Sequence, residues 1–292
     1  MTTFVVDRSE RGKLALTGAE AKDFLQGQVT NDIVGLETGQ GCYAAFLTNK
    51  GKMLGDLRIF DLGDELLLDC ERVALQPLFN LVRTRKLGRD VELHKRTLEL
   101  ALLSVIGPEA PALVDGPEHA SARVDLGGAQ VVAVKTDVGV DLFCAASDRD
   151  AVRAALPFPD EDEAAAEVVR VESGRPRYGV DLDDSVIPQE ARLNERAVSF
   201  TKGCYVGQET VARLYYRGKP NRRLLGVKLD ATAPTGTELR LGEKVVGKLG
   251  SVVDSPDHGP IALALVRREA NPGDTVVADG TSALIVDVPF AR

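Results

Sequence analysis

The stretch after Pro220 leaves few architectures open. "RLLGVKL", "TELRL", "EKVVGKLGSVV", "PIALALV", "DTVVADG" and "SALIVDVPF" are apolar runs of strand length, separated by Gly, Pro and Asp. Runs this short become stable only by pairing with neighbours, and turn residues at such close intervals favour antiparallel connections. A small antiparallel β-barrel or sandwich is therefore expected over 219–292.

Upstream the texture differs, and a domain boundary is expected near 218–222. "KLALTG" reads as a strand, "AEAKDFLQGQV" as a short helix and "TNDIVGLETGQG" as a loop. "CYAAFLT" and "MLGDLRIF" flank the turn "NKGK", and "ELLLDCE" follows as a third strand. From Arg72 to Leu87, apolar residues at mostly helical spacing predict a helix over the meander, with Arg83, Arg85 and Lys86 at its dipole-favoured C-terminal end. A second unit of like grammar begins near 98: strand "LELALLSVIG", short helix "PEAPALV", a hairpin across Gly127-Gly128, then helices in "DRDAVRAAL" and "DEAAAEVVRVE". The expected fold class is α+β, a two-lobed body over 1–218 (sub-lobes about 1–97 and 98–218) followed by the barrel.

With 292 residues, 44% of them hydrophobic, the chain can bury a large core. Its net charge of -8 argues against a general nucleic-acid or membrane-surface binder, so any anion site must be local. No apolar run approaches the roughly 18 residues of a membrane span. "MTTFVVDRSERGKLAL" lacks the basic start and long apolar stretch of a signal peptide, and a cytoplasmic location is expected.

Cys42, Cys70, Cys144 and Cys204 are scattered, with no CxxC and no Cys/His pair at ligand spacing, so no resident metal site is expected. The first three sit in apolar alternating stretches and read as small buried hydrophobes. His94, His119 and His258 are equally scattered and read as surface or loop residues.

Cys204 differs. It stands in "SFTKGCYVGQETVARLYYRG", between Gly203 and Tyr205, two residues after Lys202. "GQETVARL" reads as a helix with Gly207 at its N-cap, then Gln208, then Glu209 in the first turn. A cysteine ahead of a helix N-terminus and close to a lysine has two reasons to favour the thiolate, and glycine leaves its sulfur open. The other reading is a tight turn whose cysteine merely packs. Between Lys202 and Lys228 seven basic residues stand against one acid, interleaved with Tyr205, Tyr215 and Tyr216, an arrangement suited to an anion with a flat ring.

"KGCYVGQE", together with "GRPRYGVDLDDSVIPQEARLN", "FLQGQVTNDI" and "NKGKMLGDLRIF", resembles the YgfZ/GcvT-like family, folate-binding relatives of the glycine-cleavage T-protein that serve iron–sulfur cluster assembly. The order of units fits along the whole chain. The resemblance implies a folate-binding body capped by the barrel, with tetrahydrofolate or a derivative as ligand. "IPQEARLN" would present Glu190 to the pterin, where a carboxylate matches paired N–H donors; the alternative is an ordinary surface acid. The glutamate tail would reach basic side chains such as Arg217 or Arg223. T-proteins carry an adjacent acidic pair in the segment matching "GKMLGD", whereas this chain has Gly55-Asp56, which puts aminomethyl transfer in question. Asp56 could hydrogen-bond a reduced pterin or serve as a turn or edge-strand acid.

The expected function is that of a monomeric, folate-binding accessory protein supporting iron–sulfur cluster assembly or repair. Cys204 would act in its "KGCYVGQE" motif, sharing transiently in the ligation of a cluster for assembly machinery or client enzymes. A tetrahydrofolate-dependent aminomethyl or one-carbon transferase is the alternative. An RNA-binding role linked to tRNA modification is a further one, with broad RNA affinity disfavoured by the net charge.

Overall fold

The computed structural model describes residues 2–290. They form two compact units. One, the sheet unit, comprises the chain through Leu47, Leu54–Glu163 and Arg196–Val206; the other, the barrel unit, comprises Thr48–Met53, Ala164–Glu195 and the chain from Gly207 on.

In chain order the sheet unit carries β1 (Phe4–Asp7), β2 (Gly12–Thr17), α1 (Ala21–Gln26), β3 (Gly41–Leu47), β4 (Met53–Asp61), β5 (Leu66–Cys70), α2 (Arg72–Arg85), β6 (Glu92–Lys95), β7 (Leu100–Ile106), β8 (Ser121–Leu126), β9 (Ala129–Lys135), β10 (Gly139–Ala145) and α3 (Arg149–Ala154). The first sheet has the order β3-β4-β5-β2-β6 and the second β1-β7-β10-β9-β8. β1 thus leaves its sequence neighbours and pairs antiparallel with β7, Phe4 opposite Ile106. Alternation decides what each face buries. Ala101, Leu103, Val105, Leu142 and Cys144 point to one core with Val152 of α3. Leu102, Val134 and Phe143 point the other way, where Phe60 and Leu67 of the first sheet meet them.

A buried ion network lies among these strands. Arg58 on β4 donates from Nε to Asp69 on β5 at 2.8 Å and also pairs with Asp141 on β10. Asp141 accepts in turn from Ser104 on β7. Arg11 holds the other side of Asp69 through Nε and Nη2 at 3.0 and 2.8 Å. Burial alone would raise the Asp69 carboxyl; the two guanidiniums overcome it and hold Asp69 well below the usual carboxylate range.

The barrel unit carries α4 (Glu163–Glu172), then α5 (Asn194–Ala197) where the chain returns to the sheet unit, then α6 (Gln208–Arg217). It ends in β11 (Arg222–Leu229), β12 (Glu238–Leu241), β13 (Lys244–Ser255), β14 (Gly259–Arg267), β15 (Thr275–Ala278) and β16 (Thr281–Val286). These six strands close in the order β11-β14-β13-β12-β15-β16. Leu225, Val227, Ala262, Ala264 and Val266 fill the barrel; Leu224, Ile261 and Leu263, their alternates, face outward against Val171 of α4 and Phe290. Closure removes the exposed edges that short strands would otherwise present.

Texture alone set a boundary at 218/219, whereas contact groups 164–195 and α6 with the barrel. Asp181 explains part of this. Its carboxylate accepts from Ser251 N and Oγ (2.7 and 2.9 Å), from Arg177 N (2.8 Å) and from Arg170 (3.0 Å). A side chain at Gly250 would place Cβ 2.3 Å from Asp181 Oδ1, so glycine is needed for this approach. The helix expected in "PEAPALV" does not form; Pro108 and Pro111 lack donors, and the segment runs irregularly. β1 and the polar edge strand β6 were not anticipated, because their pairing partners rather than their own patterns define them.

Replacing Arg58 by Met would leave two buried carboxylates short of a counter-ion. A loss of roughly 3–5 kcal/mol is expected from urea titration, as for other broken buried pairs; a loss below about 1 kcal/mol would mean that the network carries little of the fold.

Candidate functional site

The residues selected by sequence divide between the units. Asp56, Lys202, Gly203, Cys204 and Tyr205 belong to the sheet unit; Glu190, Gly207, Gln208, Glu209, Arg217 and Arg223 belong to the barrel unit.

In the sheet unit the cysteine segment is laid along the loop that follows α1. Ser199 N donates to Thr30 O at 3.0 Å and Val206 N to Gly27 O at 3.2 Å. Thr30 Oγ1 donates back to Ala197 O. Between these ties Lys202 turns inward, only 9% exposed. Its ammonium donates to the carbonyls of Gln26 (2.6 Å), Val29 (2.8 Å) and Asn31 (2.6 Å) and lies 5.2 Å from the centre of the Tyr205 ring. Burial pushes this ammonium down to about 8, with Asp32 and Cys42 opposing the shift. It therefore remains charged at neutral pH.

All three Lys202 donors are committed to backbone. Lysine here tethers the cysteine segment to the loop after α1. What the tether achieves is display. Cys204 is exposed, while Cys70 and Cys144 are buried and Cys42 is half-buried. A Cβ at Gly203 would meet nothing within 4 Å.

Asp56 is neither a turn acid nor an edge-strand acid. It lies on β4, between β3 and β5, and is 5% exposed. Tyr43 on β3 donates its hydroxyl to Asp56 Oδ2 at 2.5 Å. Burial pushes the Asp56 carboxyl up to about 6, partly offset by the Tyr43 bond. Burial and the adjacent Asp56 raise the Tyr43 phenol well above its ordinary value. Arg196 lies over the Tyr43 ring, 5.4 Å from its centre, and pairs with Glu118 at 2.7 Å. Asn31 links the two features: its side chain donates to Tyr43 O at 2.9 Å while its own carbonyl receives Lys202. The neighbouring Gly55 is crowded: a Cβ there would sit 3.2 Å from both Ala74 Cβ and Leu78 Cδ1, which would have to give by a few tenths of an ångström to admit a second acid.

Tyr43, Asn31 and Arg196 carried no distinctive signal in the sequence. Tyr43 stood in an apolar strand, and only the pairing of β3 with β4 brings it to Asp56. His119, expected on a surface or loop, is a loop residue that is buried; burial pushes its imidazole down to about 4.

In the barrel unit Glu190 is 6% exposed and not a surface acid. Arg222 donates from Nε to Oε1 at 3.0 Å and from Nη2 to Oε2 at 2.8 Å, a bidentate pair. Ile187 N adds a longer bond to Oε2 at 3.3 Å. Arg222, which the sequence reading passed over, is thus the arginine at Glu190. Arg223 donates instead to Ala270 O and Asn271 Oδ1, and Arg217 is exposed at the end of α6. Gly207 caps α6 with φ of 87°. Gln208 is the first residue of α6, and Glu209 pairs with Arg213 on the helix surface.

Among the described residues, no group of three or more His, Cys, Asp or Glu is arranged to hold a metal ion, and no helix is long and apolar enough to cross a membrane.

Comparison with known proteins follows the same two-part division. Residues 2–136 match the GCVT N-terminal domain, and residues 221–290 match the CAF17, C-terminal beta-barrel domain. A chloroplastic protein of Arabidopsis thaliana with a provisional transferase name is 26% identical over 309 residues, covering 98% of this chain and 71% of that protein. The glycine cleavage system aminomethyltransferase T of Bartonella henselae shares the fold with a TM-score of 0.86 at 22% identity, over 99% of this chain and 86% of that one.

Two variants test the sheet-unit site. Lys202→Met should cost roughly 2–4 kcal/mol by leaving three carbonyls unpaired, and should raise amide exchange in 26–31 and 199–206 selectively; uniform exchange would refute the tether. Asp56 binds a proton more tightly folded than unfolded, so its contribution to stability falls as pH rises from about 4 through about 6. Asp56→Asn should therefore be more stable than wild type at pH 8, by roughly 1–3 kcal/mol, with the difference vanishing near pH 4. An unchanged difference across that range would disprove the raised carboxyl.

Proposed function

Because this chain belongs to the YgfZ/GcvT-like family, a folate-binding type of transferase-like build, we propose that it is a folate-binding accessory protein of iron–sulfur cluster assembly or repair, with Cys204 as its working thiol. The observation that carries this reading is the pairing of an exposed Cys204 with a buried Lys202 whose ammonium is fully bonded to backbone. Burying an ammonium is costly unless every donor is satisfied, and this arrangement serves to hold the adjacent thiol at one place on the surface. A single thiolate can share in ligating a cluster but cannot hold one alone. The cluster is therefore cargo, taken from or passed to assembly machinery or a client enzyme.

Each unit, taken by itself, presents a carboxyl suited to a nitrogen of a reduced pterin. Asp56, its carboxyl pushed up to about 6, can accept from or donate to a pterin nitrogen according to its protonation state. Glu190 fits with one change from expectation. A carboxylate has about four acceptor positions, and Arg222 and Ile187 N take three. One remains, suited to a single ring N–H, with Arg222 orienting the carboxylate; Arg217 and Arg223 stay the partners proposed for the folate's glutamate tail. A bound tetrahydrofolate would supply its nitrogens as a one-carbon carrier. The cytoplasm and a monomeric state complete the proposal.

One observation favours a second reading, folate-dependent one-carbon transfer: a carboxyl near pKa 6, hydrogen-bonded to a tyrosine, is a competent general acid or base. Glycine at 55, in a crowded position, weighs against transfer that depends on an adjacent acidic pair.

Anaerobic calorimetric titration of tetrahydrofolate, joined to complementation of a null strain, separates these readings. Wild type and Cys204→Ser should bind alike, Asp56→Asn at least about tenfold more weakly, and Cys204→Ser should fail to restore cluster-enzyme activity. Full restoration by Cys204→Ser rejects the cluster role. Absence of binding to wild type rejects the folate.

A further inference from the structure

We propose that the barrel unit carries a second small-molecule site, a cleft on the barrel wall that receives a compact organic oxyanion, a carboxylate or phosphate borne on a small apolar body. The cleft has a volume of about 380 Å³, and Arg222, Arg267 and Lys248 line it together with Val180, Val245 and Leu265. That volume falls at the lower end of ligand pockets, which run from roughly 300 to 1,000 Å³.

Charge is the main argument. Arg222 on β11 and Arg267 on β14 are direct cross-strand partners. Side chains so placed share one face with Cβ atoms about 5 Å apart, and like charges directly opposite are destabilising. Only one of the two is neutralised. Arg222 uses Nε and Nη2 on Glu190 and Ser185 O, which leaves its Nη1 hydrogens uncommitted. Arg267 and Lys248 form no ion pair or side-chain hydrogen bond with the described residues.

The acids at the cleft do not restore balance. Asp181 is taken up by Ser251, Arg177 and Arg170. Asp183 accepts from Ser185 N at 2.8 Å and is the remaining carboxylate. Two unpaired cations, Arg267 and Lys248, and the uncommitted Nη1 of the Glu190-paired Arg222 thus line a concavity with one available anion. The apolar side is supplied by Val180, 45% exposed, and by the Val245 and Leu265 side chains. An oxyanion on the arginine pair would relieve the repulsion while its body covers the valines. The inference does not rest on folate binding.

Phenyl phosphate and benzoate, with inorganic phosphate as the bare-ion control, are the probes. They are titrated into wild type, Arg267→Gln and Lys248→Gln, with and without saturating tetrahydrofolate. One of the two aromatic anions should bind wild type, raise its melting temperature by mass action, and bind each variant about tenfold more weakly, as expected for one lost charge-assisted contact. Which of them binds tells phosphate from carboxylate. Without ligand, Arg267→Gln should melt above wild type, because the cross-strand repulsion is gone; a lower melting temperature removes the premise. The site is refuted if neither aromatic anion binds, if both variants bind as wild type does, or if inorganic phosphate binds equally well. Displacement by tetrahydrofolate also refutes it, since the cleft would then be part of the folate site.

Discussion

The sheet unit depends on a charge that its two sheets share. Arg58 stands on the first sheet and reaches both Asp69, beside it, and Asp141 on the second. Apolar packing of Phe60 and Leu67 against Leu102 and Phe143 brings the sheets together, but such packing is tolerant of sliding by a residue pair. A buried guanidinium is not. Any shift in register would strand a carboxylate in the core, at several kcal/mol. The network therefore selects one arrangement of β4 against β10 among several that greasy surfaces would allow, and the positions of Asp56 and Tyr43 on the neighbouring residues and strand follow from it.

Lys202 repeats this logic on a smaller scale. Three carbonyls from one loop converge on one ammonium, and the loop and the cysteine segment become a single rigid piece. Asn31 extends it to Tyr43, hence to Asp56. The thiol and the buried carboxyl are thus held by one hydrogen-bonded framework, although one faces solvent and the other does not.

Much of the fold was legible in the sequence because local pattern and final burial agree there. The barrel strands are short apolar runs set apart by turn residues, and the meander β3 to β5 with α2 over it reads directly from periodicity. What escaped has one physical character: it is defined by a distant partner. β1 needs β7, β6 needs β2, and the grouping of 164–195 with the barrel needs Asp181 to meet Ser251. The same holds at the site. Cys204, Asp56 and Glu190 were visible as residue types in suggestive settings, yet the sequence could not show that Lys202 faces inward, that Tyr43 reaches Asp56, or that Arg222 grips Glu190. Adjacent residues on a strand point to opposite faces, so which side chain of β11 meets Glu190 turns on register alone.

The lysine cage also has a meaning in time. Its carbonyls come from residues 26 to 31, but the ammonium that satisfies them lies at 202, and a chain growing from its N-terminus at roughly 5–20 residues per second makes the loop many seconds before its clasp. Until then the first sheet can form, since β2 to β6 are complete by Lys95, but the loop after α1 has no cation to close around. The exposed cysteine sits two residues beyond that clasp. Its thiol thus takes its place only once that clasp has closed on the loop after α1, so the display of Cys204 waits on a contact between segments some 170 residues apart.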